Sequence, residues 1–164
     1  MILRRKLNTV TVGTAYELAV MHSLTTQLKM NLMRVGGAND RGVDLQGCTQ
    51  TQPRISLLVQ CKCENKKLSP RHIRELQGTL IQHGNINTTM ALLASPEGFT
   101  SKTVANAIAS TLPLSLLHIS TNGILHNCIF NHPASSLLNE AGLHLVKKFV
   151  GNGTDVNISL EKSI

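Results

Sequence analysis

Aromatic residues are nearly missing from this chain: it has no tryptophan, one tyrosine and three phenylalanines. A platform of aromatic faces for stacking single-stranded bases is therefore not expected, and the core must be built from Leu, Ile, Val, Ala and Met. No apolar run approaches the roughly 20 residues that a membrane-spanning helix requires. Acidic residues are scarce too. With 9 Asp+Glu against 16 Lys+Arg the formal net charge is +7 and the isoelectric point about 9.6, a balance that points to an anionic partner, nucleic acid or an acidic membrane surface. The four cysteines, Cys48, Cys61, Cys63 and Cys128, stand at no zinc-finger spacing and are expected to be reduced core residues. No acid precedes Glu17, and the opening Met1-Ile2-Leu3-Arg4-Arg5-Lys6-Leu7 carries three basic residues. That is the composition of a mitochondrial presequence and also of a basic arm that grips nucleic acid. Mitochondrial targeting is the expectation carried forward for residues 1–12.

The 164 residues suit one domain with a tail: a core over residues 13–120 and a C-terminal extension over 121–164. Residues 14–33 are expected to form a helix in which Glu17, Met21, Leu24 and Leu28 share the apolar stripe, so that the Glu17 carboxylate points inward. Thr14 and Glu17 also make a capping box, and the two roles are compatible. Gly36, Gly37 and Gly42 then permit a loop that opens into a strand at Val43-Asp44-Leu45. A polar run, Thr49-Gln50-Thr51-Gln52-Pro53, turns the chain into a returning strand over residues 55–64. Here Ile55, Leu57, Val59, Cys61 and Cys63 alternate with Ser56, Leu58, Gln60, Lys62 and Glu64. Gln60 and Lys62 thus share a face, which in an antiparallel pair can also carry Asp44.

Ser69 as N-cap and Pro70 behind it start a second helix with Ile73, Leu76, Leu80 and Ile81 toward the core and Gln77 in phase with Ile73. Its outer side offers Arg71, His72 and Arg74. Between residues 54 and 75 six Lys/Arg face only Glu64 and Glu75, and because this run flanks the candidate site it reads as a phosphate-backbone surface in preference to a merely solvated face. A strand over 88–94, a helix with Val104, Ala107, Ile108 and Leu112 inward, and a strand over 114–119 make a parallel crossover. The expected fold is α/β, a mixed sheet with helices on both faces in the order α-β-β-α-β-α-β. Beyond it, His126, Cys128 and His132 match no common metal set, and residues 135–150 are expected to form a last helix ahead of a frayed end.

Phosphodiester hydrolysis needs an activated water and a counter-charge for the phosphate oxygens, both of which a hard divalent cation supplies. Asp44 is the best ligand candidate, with Glu17 as a second carboxylate and the Gln60 amide oxygen completing the set. Lys62 would orient water or offset charge.

Glu17, the Gly36-Gly37-Ala38-Asn39-Asp40-Arg41-Gly42-Val43-Asp44 loop, Gln60-x-Lys62 and Gly98-Phe99-Thr100 at a helix start resemble the Mrr-type branch of the restriction-endonuclease-like PD-(D/E)xK superfamily. Within it, the chain is similar to the fungal mitochondrial "required for respiratory growth" family. The resemblance spans residues 12–119. It implies Mg²⁺- (or Mn²⁺-) dependent DNA cleavage, with Glu17 matching the helix-one acid, Asp44 the metal-binding Asp, and Gln60 and Lys62 the closing pair. The commoner superfamily pattern has Glu or Asp where this chain has Gln60, so its site holds one negative charge fewer. Arg41, Lys66, Lys67, Arg71, Arg74 and Gln77 are the residues expected to meet nucleic acid, DNA ahead of RNA. A homodimer is also in view, since relatives with this fold often act as dimers. Two other readings stay open: a nucleic-acid-binding module with a weak or inactive site, and a mitochondrial assembly factor.

Overall fold

Asn8, whose side-chain oxygen accepts the Val10 N–H at 3.3 Å, opens helix α1 (Thr9–Gln27) in the computed structural model, which describes residues 8–36 and 42–164. Strands β1 (Met30–Arg34), β2 (Leu45–Thr49) and β3 (Ser56–Cys61) follow, then α2 (Pro70–His83), β4 (Thr89–Ser95), α3 (Ser101–Ala109), β5 (Leu114–Ile119) and β6 (Leu125–Phe130). The chain closes with α4 (His132–Glu140), β7 (Leu143–Val150) and β8 (Asp155–Lys162). Six strands form one sheet in the order β1-β2-β3-β4-β5-β6. β3, β4 and β5 run parallel, and the other neighbours pair antiparallel.

Alternation along the central strands divides the interior into two layers. Leu57, Val59, Met90, Leu92 and Leu117 pack beneath α1 and α4, while Leu58, Ala91, Leu93 and Leu116 pack beneath α2 and α3. Helices therefore cover both faces, as expected for parallel strands whose side chains are apolar on either side. β4 is buried along its whole length. Leu92 at its centre is fully buried, and Leu92→Ala is expected to lower stability by about 2–5 kcal/mol, the usual range for a core leucine. A urea unfolding curve would read this as a lower midpoint at unchanged slope.

Several boundaries depart from expectation. The first helix starts earlier and stops at Gln27; residues 30–33, expected in it, belong with Arg34 to β1, a strand the expected element order lacked. The break is at Lys29, which takes a left-handed φ of 50°, after which Met30 pairs with Thr49. Asn8 is the cap, so Thr14 and Glu17 lie within the helix and form no capping box. The buried stripe is Tyr16, Val20, Ser23 and Leu24, which puts Glu17 on its border and not at its centre. Ile81 and Ile108, expected in the core, are exposed.

The helix expected at 135–150 is two elements. Asn131 caps α4 by accepting the Ala134 N–H at 3.1 Å, and Gly142 at φ 68° ends it. Residues 143–150 then form β7, paired throughout with β8. The C-terminal tail is thus helical only over α4 and continues as a paired β-hairpin where a frayed end was expected, and Leu143, Ile158 and Leu160 bury themselves in the same core as α1. No helix among the described residues is long and apolar enough to cross a membrane.

Candidate functional site

Asp44 sits where three strands meet. Its N–H donates to the Val59 carbonyl at 2.9 Å, and its own carbonyl accepts from Val35 and Gly36 at 2.9 and 3.2 Å. Asp44 Oδ2 accepts the Cys61 N–H at 2.6 Å. The residue is thus fixed through both backbone and side chain between the end of β1 and the end of β3, which is why its position is set by the sheet and not by the glycine loop before it.

Glu17 arrives from α1. A Cβ placed on Gly36 would stand 3.5 Å from Glu17 Oε2 and 3.6 Å from Asp44 Oδ1, so the two carboxylates converge on the space a side chain at this position would fill. Glu17 also holds Arg34, the last residue of β1, whose Nε donates to Oε2 at 2.6 Å. The Cys61 thiol reports the same convergence: burial raises its pKa most, the charges of Asp44 and Glu17 and the neighbouring Cys63 raise it further, and Lys62 alone opposes. Held protonated, this sulfur is no nucleophile. Tyr16, next to Glu17, is likewise pushed up by burial and donates to the Ile119 carbonyl at 2.8 Å, a structural bond.

Gln60 and Lys62 do share a face, and both reach α2. Gln60 is 3% exposed. Its Nε2 donates to Thr79 Oγ1 at 3.2 Å, and the Thr79 hydroxyl spends its hydrogen on the Glu75 carbonyl at 3.0 Å. Thr79 can therefore only accept from the amide, which fixes the amide orientation and leaves Gln60 Oε1 with no hydrogen-bond partner among the described residues. Gly42 presses on this amide: at φ 83° a Cβ would lie 2.5 Å from Gln60 Nε2, so the approach admits only glycine. Lys62 Nζ lies 3.8 Å from Glu75 Oε2, a loose pair near the surface.

Among the described residues no three His, Cys, Asp or Glu side chains are grouped to hold a metal, the histidines and Cys128 of the C-terminal region included. Cys128 is buried, its thiol pushed up to about 12 by that burial; Cys48, Cys61 and Cys63 are only half-buried. What these residues offer is oxygen from Asp44 and Glu17 and the Oε1 of Gln60, which has no partner among the described residues. That set suits Mg²⁺ or Mn²⁺, which take one or two carboxylates and leave their other positions to water and phosphate. It does not suit zinc.

Lys66, Lys67, Arg71 and Arg74 are exposed, Arg71 lying 3.9 Å from Glu64. His72, expected on the outer side with them, is buried. Its Nδ1 accepts the Ser69 N–H at 3.2 Å and its Nε2 meets Glu64 Oε1 at 3.0 Å, so a histidine fills the place that Glu or Gln holds in an ordinary capping box. That hydrogen bond, with the charges of His72, Arg71 and Lys66, holds the Glu64 carboxyl below its usual range. The Gln77 amide donates to Ser110 Oγ at 2.9 Å and ties α2 to α3. Arg41 and Asp40 lie outside the described residues. Sequence reasoning missed Arg34, Thr79 and Glu75. Arg34 was hidden with β1, and the i, i+4 spacing of Glu75 and Thr79 was the available signal that both face the Gln60-Lys62 strand.

The model of the family described as Required for respiratory growth protein 7 matches residues 8–55 and 48–145. An uncharacterized mitochondrial protein of Schizosaccharomyces pombe is 30% identical over 148 residues, covering 86% of this chain and 59% of that protein. The Required for respiratory growth protein 7, mitochondrial, of Saccharomyces cerevisiae is 31% identical over 159 residues, covering 68% of this chain and 66% of its own length. The chain thus spans less than two thirds of either relative. Among solved structures, that of the MspJI restriction endonuclease in complex with a 27-mer oligonucleotide is similar at TM-score 0.47 and 16% identity, over 62% of this chain and 25% of that one. Both relatives are named mitochondrial, in agreement with the expectation from the basic N-terminus. With the family match running from the first turn of α1 to the start of β7, the chain belongs to the mitochondrial Required for respiratory growth protein 7 family.

Proposed function

We propose that this domain is a divalent-cation-dependent nuclease acting on DNA in mitochondria, with Asp44, Glu17 and Gln60 as cation ligands and Lys62 as the basic residue beside them. The observation that carries this reading is the convergence of Glu17 and Asp44 on Gly36; a buried amide oxygen at Gln60 that lacks a donor among the described residues supports it. A bound Mg²⁺ or Mn²⁺ would activate water and offset charge on the phosphate. The chain's own residues do the remaining work. Asp44 is pre-positioned by the Cys61 N–H, the buried amide of Gln60 is clamped by Thr79, and Lys62 brings a positive charge at the end of β3. Lys66, Lys67, Arg71 and Arg74 would take backbone phosphates, a contact that carries no sequence information.

The test sets wild type beside Asp44→Ala, with Mg²⁺ or Mn²⁺ titrated against linear, supercoiled and branched DNA. Cation-dependent nicking by wild type is expected, with a loss of at least about 100-fold in the variant, more than mutating a group that only supports a ligand typically costs. No cutting of any substrate by wild type would sink the reading.

A second reading has its own observation: Arg34 neutralises Glu17 and Glu75 stands near Lys62, so two of the proposed catalytic side chains already have partners of opposite charge. A nucleic-acid-binding module without catalysis would show affinity that falls steeply with salt and needs no cation.

A further inference from the structure

The Glu17–Arg34 pair is the shortest ion pair among the described residues, and it joins a proposed cation ligand to a residue that nothing in the proposed chemistry yet uses. The Arg34 side chain is 37% exposed and that of Glu17 14%. Beyond Nε, the guanidinium makes one long contact among the described residues, Nη2 to Thr14 Oγ1 at 3.5 Å, so part of its donor fork remains for another acceptor. A guanidinium binds phosphate in the same forked way as it binds carboxylate. Glu17 and a backbone phosphate are therefore competitors for one partner.

We infer that Arg34 is a phosphate-binding residue held in reserve by Glu17: nucleic acid draws the guanidinium onto its backbone and releases the carboxylate for the cation. This rests on the cation site proposed above and adds to it an order of assembly. Without nucleic acid, a cation must compete with Arg34 for Glu17. With nucleic acid bound, that competition is gone, so each ligand raises the affinity for the other, and by linkage each does so by the same factor. Arg34 is well placed for this because β1 ends there, with Val35 and Gly36 hydrogen-bonded to the Asp44 carbonyl immediately beyond. Its side chain can move while the backbone stays fixed.

The experiment is a Mn²⁺ titration followed by electron paramagnetic resonance, with and without a short duplex DNA, on wild type, Arg34→Met, Arg34→Lys, Glu17→Gln and Asp44→Asn. Far-ultraviolet circular dichroism confirms that each is folded. Duplex should tighten Mn²⁺ binding by wild type within the about 5- to 150-fold range usual for coupled sites. Arg34→Met should bind Mn²⁺ tightly without DNA and gain little from adding it, and its DNA binding should lose about one unit of salt dependence. Arg34→Lys, which keeps the charge but not the fork, should fall between. If Arg34→Met binds Mn²⁺ no better than wild type while Glu17→Gln and Asp44→Asn weaken binding, the inference is overturned and the cation site survives. If no variant binds Mn²⁺ under any condition, both are lost.

Discussion

Gly47→Val is expected to leave little folded protein. Gly47 lies in the middle of β2, opposite Leu32 of β1 and Leu57 of β3. A Cβ there would stand 1.8 Å from the Asn31 carbonyl oxygen, 2.8 Å from its carbon and 3.0 Å from Leu32 Cα. All three are backbone atoms of the neighbouring strand, so no change of rotamer relieves the clash. β1 would have to move as a unit, taking with it the fully buried Met30 and the Arg34 that holds Glu17. Ordinary overpacking costs about 1–3 kcal/mol, and losing an edge strand's pairing as well brings the total close to the 5–15 kcal/mol stability typical of a domain. Even Gly47→Ala should melt many degrees below wild type. Gly78, an exposed position within α2 with nothing within 4 Å of a built Cβ, supplies the opposite control: Gly78→Ala should stabilise by roughly 0.5–1 kcal/mol through helix propensity. A Gly47→Ala protein that melts within a few degrees of wild type would show that the strands can part without loss.

The same glycine helps explain which parts of the fold were legible. β3 declared itself, because its alternation separates two cores and every second residue from Ile55 to Cys63 went to the α1 side. The start of α2 was equally plain, since Ser69-Pro70 can scarcely be read otherwise. β1 was not: Met-Asn-Leu-Met-Arg carries no strong strand preference, and it becomes a strand because Gly47 lets it approach β2 and because Lys29 accepts a left-handed turn. Both are tertiary facts. In the tail, Leu138, Leu145 and Phe149 happened to keep helical phase, and the glycine at 142 that breaks the pattern outweighs them; Phe149 ends up exposed.

At the candidate site the sequence yielded residue types but not their commitments. Asp44, Gln60 and Lys62 could be picked out from a loop and an alternating strand. That Asp44 would spend one oxygen on the Cys61 N–H, or that Gln60 would be clamped from α2, depends on the β2–β3 register and on the seating of α2, neither of which is encoded locally. Glu17 was chosen for an inward direction it only half has, and its ion pair with Arg34 lay across a strand boundary that the periodicity concealed.

Gln60→Glu should be the most informative single change at the site, because it restores the missing charge at a buried position. Without a divalent cation it is expected to destabilise. Gln60 is 3% exposed, so a carboxylate there has its pKa raised by burial and by the neighbouring Asp44, and fully buried acids shift by up to about 3–5 units. The sign follows from which state ionises first. Below about pH 4 the introduced carboxyl is protonated in folded and unfolded chains alike and little stability is lost. As pH rises past that value the unfolded chain ionises while the folded one does not, and stability falls until the folded pKa is reached. At 1.36 kcal/mol per unit the loss approaches about 4 kcal/mol near neutrality, and it keeps growing above neutrality for as long as the folded carboxyl stays protonated. Thr79 can accommodate the change, since its hydroxyl can turn from the Glu75 carbonyl to donate to a carboxylate. Mn²⁺ or Mg²⁺ should then reverse the loss, because three carboxylates in place of two would hold the cation more tightly than the wild-type set does, and binding to the folded state alone stabilises it by mass action. Urea unfolding of wild type and Gln60→Glu, in acid and at neutral pH, each with and without Mn²⁺, resolves the matter. A loss that grows with pH and disappears with Mn²⁺ puts the cation against residue 60. A loss that grows with pH and ignores Mn²⁺ leaves the residue buried but the cation elsewhere or absent, and the cation-free binding module would then be the better account of the domain.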